Sequence, residues 1–207
     1  MNQLPDNIRE HARQYFASRP LSSDDKTRIC LFLQSVKSTN AAILSKIEFQ
    51  PFEWMPYKYL HTQYYKDIEQ STLLAKATEW SFNPMLYMEA TQINLSLWQA
   101  ADINKFLTGA FEPNRTLYEY LALSHAFMSE LRILSLLPPD FDLAERFIHC
   151  LHEIDLENGR QIQTQVRMLK DMKIDLSEEE KQQIVDDMRV VVSQAFDALL
   201  YSIVQSD

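Results

Sequence analysis

The sequence predicts an all-α fold, in which residues 1–207 form a single domain built as one compact bundle of about seven helices. The first observation behind this prediction is that apolar residues recur at helical spacing along nearly the whole chain. The second is that the 207 residues include only two glycines, too few for the tight turns of a β-rich fold. The third is a composition of 46% hydrophobic and 24% charged residues, which is typical of a globular chain.

The first two helices are delimited by prolines and capping residues. The first covers about residues 6–18 and stops before Pro20. Ser22 or Ser23 then caps the second, because a serine hydroxyl accepts a hydrogen bond from the free N–H groups of a first turn. The side chains predicted to face the core from the second helix are Ile29, Phe32, Leu33, Val36, Asn40, Ile43 and Ile47.

The third helix covers about residues 57–80 and follows a connector, residues 50–56, that contains two prolines. Asn83-Pro84 begins the fourth helix, which runs to Gly109, because proline is well suited to the first helical position. The predicted core residues are Leu60, Tyr64, Ile68, Ser71 and Ala75 on the third helix and Met85, Met88, Leu95, Ile103 and Phe106 on the fourth.

Three further helices follow in the second half of the chain. The fifth begins after Pro113 and ends at the proline pair 138–139, and Asp140 caps a sixth that runs to about residue 172. The last begins with a capping box, Ser177-x-x-Glu180, in which each side chain bonds the backbone N–H of the other residue. The apolar stripe of the sixth helix is Ala144, Phe147, Ile148, Leu151, Ile162, Val166 and Leu169.

The composition disfavours several classes of function. A net charge of -9 lacks the basic footprint that nucleic acids and anionic membranes require. Two glycines exclude the Gly-rich loops that bind phosphates. No apolar run approaches the roughly 20 residues of a membrane span, and the first residues lack a signal-peptide core, so we expect a cytoplasmic protein. Cys30 and Cys150 are expected to be buried free thiols.

Several polar residues fall on faces that are otherwise apolar. Asp155 and Asn158 lie within the stripe of the sixth helix, and a carboxylate there is costly unless it is paired or coordinates a ligand. Glu89 shares the predicted core face of the fourth helix with Gln92 and Gln99, whereas Glu119 and Glu130 on the fifth helix are expected to face outward. Two interpretations stay open: polar residues bonded to one another or to water, or an interior site formed by Glu79, Glu89, His125 and Asp155.

Two further residue patterns are typical of metal sites on helices. A ferritin-like carboxylate site needs Glu-x-x-His on two helices, and no glutamate of this chain has a histidine three residues later. His149, His152 and Glu153 have the spacing of a local metal site on one helix face. Because His149 and Glu153 point away from the apolar stripe, a solvated face is the favoured interpretation of that group.

Two segments, PYKYLHTQYYKDIEQSTLLAKA and FIHCLHEIDLENGRQI, resemble the heme-oxygenase-like superfamily of heme oxygenases, thiaminase II, pyrroloquinoline quinone synthase and iron-containing oxidases. The first, residues 56–77, is similar to an early aromatic-rich helix of that family. The second, residues 147–162, is similar to its late ligand helix. The resemblance implies a heme-oxygenase-like helical bundle with a central cavity.

The resemblance also implies where metal ligands would lie. The late helix of the iron-containing members carries His-x3-Asp-x2-His, which places Asp155 on the aspartate but Leu151 and Asn158 on the two histidines. Glu79 matches the early glutamate, although Leu86 stands where a histidine is expected, and Glu119 matches the middle glutamate. The candidate ligands are therefore Glu79, Glu89, Glu119 and Asp155. They do not complete the ligand set of a di-iron site. The resemblance therefore implies iron only as a candidate metal, and the sequence does not identify the cofactor.

Two functions follow as hypotheses. In the first, the chain is an oxidoreductase acting on a small organic molecule, with Asp155 as general base or metal ligand and Asn158 as an orienting amide. His125 or His152 would then carry the proton. In the second, it is a non-catalytic partner-binding protein or a pseudoenzyme of the same fold. The aromatic residues that suit such an interface, for instance that of a homodimer, are Phe49, Phe52, Trp54, Tyr57, Tyr59, Tyr64 and Tyr65.

Overall fold

The computed structural model describes residues 7–19, 21–47, 57–78, 83–100, 113–130, 163, 164, 167, 170 and 175–205. These residues confirm the all-α prediction, since they contain helices and no strand. Gln163, Thr164, Arg167 and Lys170 are also helical, whereas most of the predicted sixth helix lies outside the described residues. The helices are α1 (Ile8–Ser18), α2 (Ser23–Ile47), α3 (Tyr57–Thr78), α4 (Pro84–Ala100), α5 (Pro113–Glu130) and α6 (Glu178–Val204).

The predicted starts of three helices are confirmed by their capping bonds. At α2, the Ser22 hydroxyl accepts from the Asp25 N–H at 3.1 Å and the Asp25 carboxylate accepts from the Ser22 N–H at 3.0 Å. At α4, the Asn83 side chain accepts from the Met85 N–H at 3.0 Å. At α6, Ser177 and Glu180 form the predicted capping box. The sequence therefore determines these boundaries through local hydrogen bonds alone.

We expect Ser177→Ala to lower the free energy of unfolding by about 1 kcal/mol at pH 7, because the Glu180 N–H loses the side-chain oxygen that accepts its hydrogen bond. Hydrogen bonds from the Ser177 backbone and hydroxyl lower the pKa of Glu180. A depressed carboxyl pKa stabilises the fold above the unfolded-state pKa, and this contribution is lost as the pH falls through the folded-state value. Urea unfolding should therefore show a smaller effect of Ser177→Ala at pH 3 than at pH 7.

Ser45→Ala is the control for this measurement, since the Ser45 hydroxyl only donates to the Ala42 carbonyl within α2. We expect no pH dependence of its effect. An equal loss of stability for Ser177→Ala at both pH values would contradict the role given to the capping box.

The core lies where α2 meets the C-terminal helix. α2 packs against α3, α4 and α6, and α6 also contacts α1, α4 and α5. The rings of Phe32 on α2 and Phe196 on α6 meet edge to face with centroids 5.4 Å apart. Phe127 on α5 lies 5.6 Å from Phe196. This aromatic cluster joins three helices and excludes water from their crossing.

The predicted core face is confirmed on α2, whereas on α3 it is confirmed for Ser71 and wrong for Ile68. On α2, the predicted residues from Ile29 to Ile43 are all buried. On α3, Ile68 is 40% exposed, and Tyr64 and Ala75 are only half-buried. The face that contacts the bundle is instead mostly polar, because α2 offers polar partners there. Its buried side chains are Gln63, Asp67, Gln70, Ser71 and Leu74.

Helix α1 is attached to the bundle by three apolar residues and one arginine. Ile8, Ala12 and Phe16 are buried on the side of α1 that faces α6. The Arg9 guanidinium donates to Asp197 at 2.7 Å, to Ser193 at 2.6 Å and to Glu130 at 2.9 Å. Partial burial alone would lower the pKa of Arg9, but the hydrogen bonds and negative charges of Asp197 and Glu130 raise it.

Candidate functional site

The inner face of α4 is fixed to α2 through one buried asparagine. The Asn94 side chain is almost fully buried and donates to the hydroxyls of Ser35 at 2.7 Å and Thr39 at 3.2 Å. Its carbonyl oxygen accepts from the indole N–H of Trp98. A buried amide with its hydrogen bonds made tolerates little rotation of the helix that carries it. This network therefore determines which side of α4 faces outward.

The outer face of α4 carries large apolar side chains in contact with solvent. Met85 is 71% exposed, Met88 64% and Leu95 54%. The prediction that these three residues face the core is wrong, since α2 supplies the partners that Asn94 needs and the helix turns its other side inward. Gln92 and Gln99 share the outer face with them, as the helical spacing predicts. The buried residues of α4 are Leu86, Ala90, Asn94, Leu97 and Trp98.

These outward residues follow one another at alternating intervals of three and four positions, 85, 88, 92, 95 and 99. That spacing places them in a single row along the helix, which we call the α4 row (Met85, Met88, Gln92, Leu95 and Gln99). Alternating intervals of three and four are typical of helices that pair with another helix through such a row. The α4 row is thus a rigid, mostly apolar surface held in place from beneath.

The α4 row is accompanied by one charge, which forms an ion pair. Glu89 is the only ionisable residue in the helix apart from Tyr87. Its carboxylate accepts a hydrogen bond from the guanidinium of Arg28 at 3.0 Å, and Arg28 also reaches the buried Asp25 at 3.4 Å. Glu89 is therefore ion-paired beside the row, although one guanidinium serves both Glu89 and Asp25.

A second candidate site is a buried ion pair between α2 and α3. The Lys37 ammonium donates to Asp67 at 3.1 Å, and the exposed fractions of the two side chains are 2% and 0%. The Asp67 carboxylate also accepts from Gln63 at 2.8 Å and from the side chain of Asn40. Three donors therefore satisfy one carboxylate, which is what a buried charge needs to be tolerated. We call Lys37, Asn40, Gln63 and Asp67 the polar cluster.

The polar cluster borders a small interior cavity. Its volume is about 10 Å³, which is close to what one water molecule requires. Lys37 and Phe127 both line this cavity, and the Lys37 ammonium lies 5.9 Å from the centre of the Phe127 ring. The cavity can therefore hold a water molecule on the lysine but leaves no room for an organic substrate. Its other lining residues are Val36, Asn40, Leu97, Trp98, Leu123, Ser124, Met128 and Val192.

Three of the predicted site residues belong to the described part of the chain. Glu89 lies at the protein surface, where its carboxylate forms an ion pair with Arg28. Glu119 is only 6% exposed and accepts from Arg115 at 3.3 Å, so the prediction that it faces outward is wrong. His125 is half-buried on α5. Within the described ranges no group of three or more His, Cys, Asp or Glu residues could hold a metal, so these three are not brought together.

The remaining predicted site residues, Glu79, His152, Asp155 and Asn158, lie outside the described residues, as does Cys150. Their roles as metal ligands, base, amide or proton carrier stay predictions. Cys30 is buried, as expected.

Sequence reasoning missed the polar cluster, although a pattern pointed to it. Gln63, Asp67 and Gln70 recur at helical spacing on α3, and Lys37 and Asn40 do so on α2. Two polar rows with opposite charge on consecutive helices are compatible with a buried contact between them. The predicted stripe of α3 instead followed Tyr64, Ile68 and Ala75, because their side chains are more apolar.

Comparisons with known proteins found no matching protein family, no matching curated protein and no matching solved structure. The resemblance to the heme-oxygenase-like superfamily therefore stays a hypothesis. Among the helices that the structure describes, none combines the length and the apolar character needed to cross a membrane.

Proposed function

We propose that this protein is a non-catalytic helical protein that binds another protein through the α4 row. The observation that carries the proposal is the exposure of Met85, Met88 and Leu95 in one line on a helix whose inner face is anchored. Contiguous exposed apolar side chains are uncommon on soluble proteins unless they mark a contact surface. Methionine is frequent on such surfaces, since its flexible thioether adapts to the shape of a partner.

Charge supports a protein partner over a membrane or a nucleic acid. The chain carries 29 acidic against 20 basic residues, and α4 has no basic residue that could contact phosphate. The α4 row also contains two glutamines, whose amides hydrogen-bond well to protein groups but lose that bonding in a lipid interior. An apolar row interrupted by amides therefore suits a helix or another amphipathic protein surface.

The interior favours a structural role for the polar cluster over catalysis. Asp67 accepts hydrogen bonds from three donors of the protein and its side chain is fully buried, so its carboxylate is not accessible to a substrate from solvent. The adjoining cavity of about 10 Å³ accommodates only water. The cluster thus fixes the register of α2 against α3, and α2 in turn positions α4.

Photo-crosslinking tests the proposed function. With the photoreactive residue p-benzoylphenylalanine in place of Met88, we expect ultraviolet light to join the protein, in the cells that express it, to one defined peptide of one protein. The same residue in place of Gln183, which is exposed on α6, is the matched control and should give no such adduct. Equal and scattered adducts at both positions, or none at either, would show that the α4 row has no partner.

The oxidoreductase hypothesis predicts a different result. Anaerobic loading with ferrous iron, followed by elemental analysis, should then give stoichiometric iron that is lost in an Asp155→Ala variant with unchanged helical content. Such a result would replace the proposed function with an iron-dependent reaction, for which Asp155 would be a ligand.

A further inference from the structure

We infer that the partner of the α4 row is a second copy of this chain, whose own α4 packs against it across a twofold axis. This inference rests on the proposed function and names its partner. It commits to a homodimer in which Met85, Met88 and Leu95 of each copy are removed from water together.

The spacing of the α4 row is the first argument. Its intervals of three and four positions average 3.5 residues, the period at which one helix keeps a continuous line of contact with another helix. An irregular partner surface requires no such period over four successive intervals. A second α4 offers the same line with the same length, so each apolar residue of one copy meets an apolar or amide side chain of the other.

The two glutamines are the second argument, because a side chain that lies on a twofold axis meets its own copy. A primary amide carries both a donor and an acceptor, so Gln92 or Gln99 can hydrogen-bond to an amide of the other copy. A single polar residue at such a position in paired helices determines their register at a cost in stability. Carboxylates or ammonium groups in the row would repel their counterparts, and the row contains neither.

The charge next to the row is the third argument. A chain with a net charge of -9 generally repels its own copies. On α4, however, the one acidic residue, Glu89, is bound by Arg28 at 3.0 Å, and Arg28 is 13% exposed. The ion pair between Glu89 and Arg28 lets two α4 helices approach without placing two free carboxylates side by side.

The exposed area indicates how strong the dimer should be. Met85, Met88 and Leu95 each expose on the order of 100 Å², so the row supplies roughly 300 Å² per copy, in the size range of functional apolar patches. Tyr87, 48% exposed, adds to its edge. Because a stable interface buries about 800 Å² per partner, we expect a dimer that dissociates at micromolar concentration.

Sedimentation velocity from about 1 μM to about 200 μM tests the inference on the full chain. The wild type should pass from monomer to dimer, and Met88→Glu should raise the dimer Kd at least about 100-fold, because each copy then buries a carboxylate in an apolar interface. Val190→Glu is the matched control, since Val190 is a 56% exposed apolar residue on α6 and its substitution should leave the Kd unchanged. Circular dichroism establishes that all variants keep their helical content.

Gln92→Leu gives a second readout that does not depend on a disruptive change. Replacing an amide in the row by an apolar side chain should lower the dimer Kd about tenfold. If neither Met88→Glu nor Gln92→Leu changes the dimer Kd, the dimer forms through another surface of the molecule, and the inference is overturned.

A strictly monomeric wild type also overturns the inference, and peroxide then separates its failure from failure of the proposed function. If Met85 and Met88 oxidise much faster than the buried Met128, the α4 row is free for another protein and the proposed function stands. If Met85 and Met88 are as protected as Met128 in the monomer, the chain covers the row itself, and both proposals fail.

Discussion

Replacing Asp67 by alanine is expected to lower the free energy of unfolding by about 3–5 kcal/mol, the largest effect of any single exchange in the polar cluster. The Lys37 ammonium, 2% exposed, would lose the carboxylate that accepts its hydrogen bond, in an interior whose cavity holds at most one water molecule. Asn40 and Gln63 would lose the same acceptor. The loss therefore combines an uncompensated buried charge with two unpaired amide donors.

The double variant Lys37→Met, Asp67→Leu separates the charge from the packing. It removes both ions at similar volume but leaves the amides of Asn40 and Gln63 without their acceptor, so we expect it to lose less stability than Asp67→Ala, by the cost of the unpaired buried ammonium. Urea unfolding monitored by circular dichroism measures both variants. Asp186→Ala is the surface control, because Asp186 is half-exposed and pairs with Arg189 at 3.3 Å. A double variant as unstable as Asp67→Ala would show that the ion pair itself stabilises the fold.

Phe196→Ala is expected to lower the free energy of unfolding by about 3–5 kcal/mol, through the cavity that it leaves among three helices. Phe196 is fully buried and its ring contacts those of Phe32 and Phe127, so no single neighbour can move in without losing its own contacts. Thermal and urea unfolding should agree on the size of the loss.

Phe196→Leu is the conservative control for this prediction. It keeps most of the volume and should cost less than about 1.5 kcal/mol. Equal losses for the alanine and leucine variants would mean that the aromatic contacts, and not the filled volume, hold α5 and α6 on α2.

Local chemistry made the helix boundaries predictable, whereas tertiary contacts decided the orientation of two helices. The starts at Ser22, Asn83 and Ser177 depend on bonds within four residues and follow from the sequence. On α4, apolar residues occupy both sides of the helix, so periodicity alone cannot choose between them. The choice depends on Asn94, whose hydroxyl partners Ser35 and Thr39 are contributed by α2 and lie more than 50 positions away.

The difference between local bonds and tertiary contacts also explains how much of the candidate site the sequence predicts. The row of residues 85, 88, 92 and 95 is visible in the sequence, and only its direction was assigned wrongly. For the polar cluster, the sequence shows polar residues at helical spacing but not which of them meet. Asp155 and Asn158, which the sequence predicts as catalytic residues, fall outside the described ranges, and the iron measurement tests Asp155.

The attachment of α1 has a consequence for the synthesis of the chain. The acceptors of Arg9 lie 121, 184 and 188 positions further along the chain, so they do not exist when α1 leaves the ribosome. At about 5–20 residues per second, the apolar side of α1 waits about 10–40 s for α6. The helix made early is thus among the last to dock. During that interval Phe16 stays in water, where other proteins and chaperones can reach it.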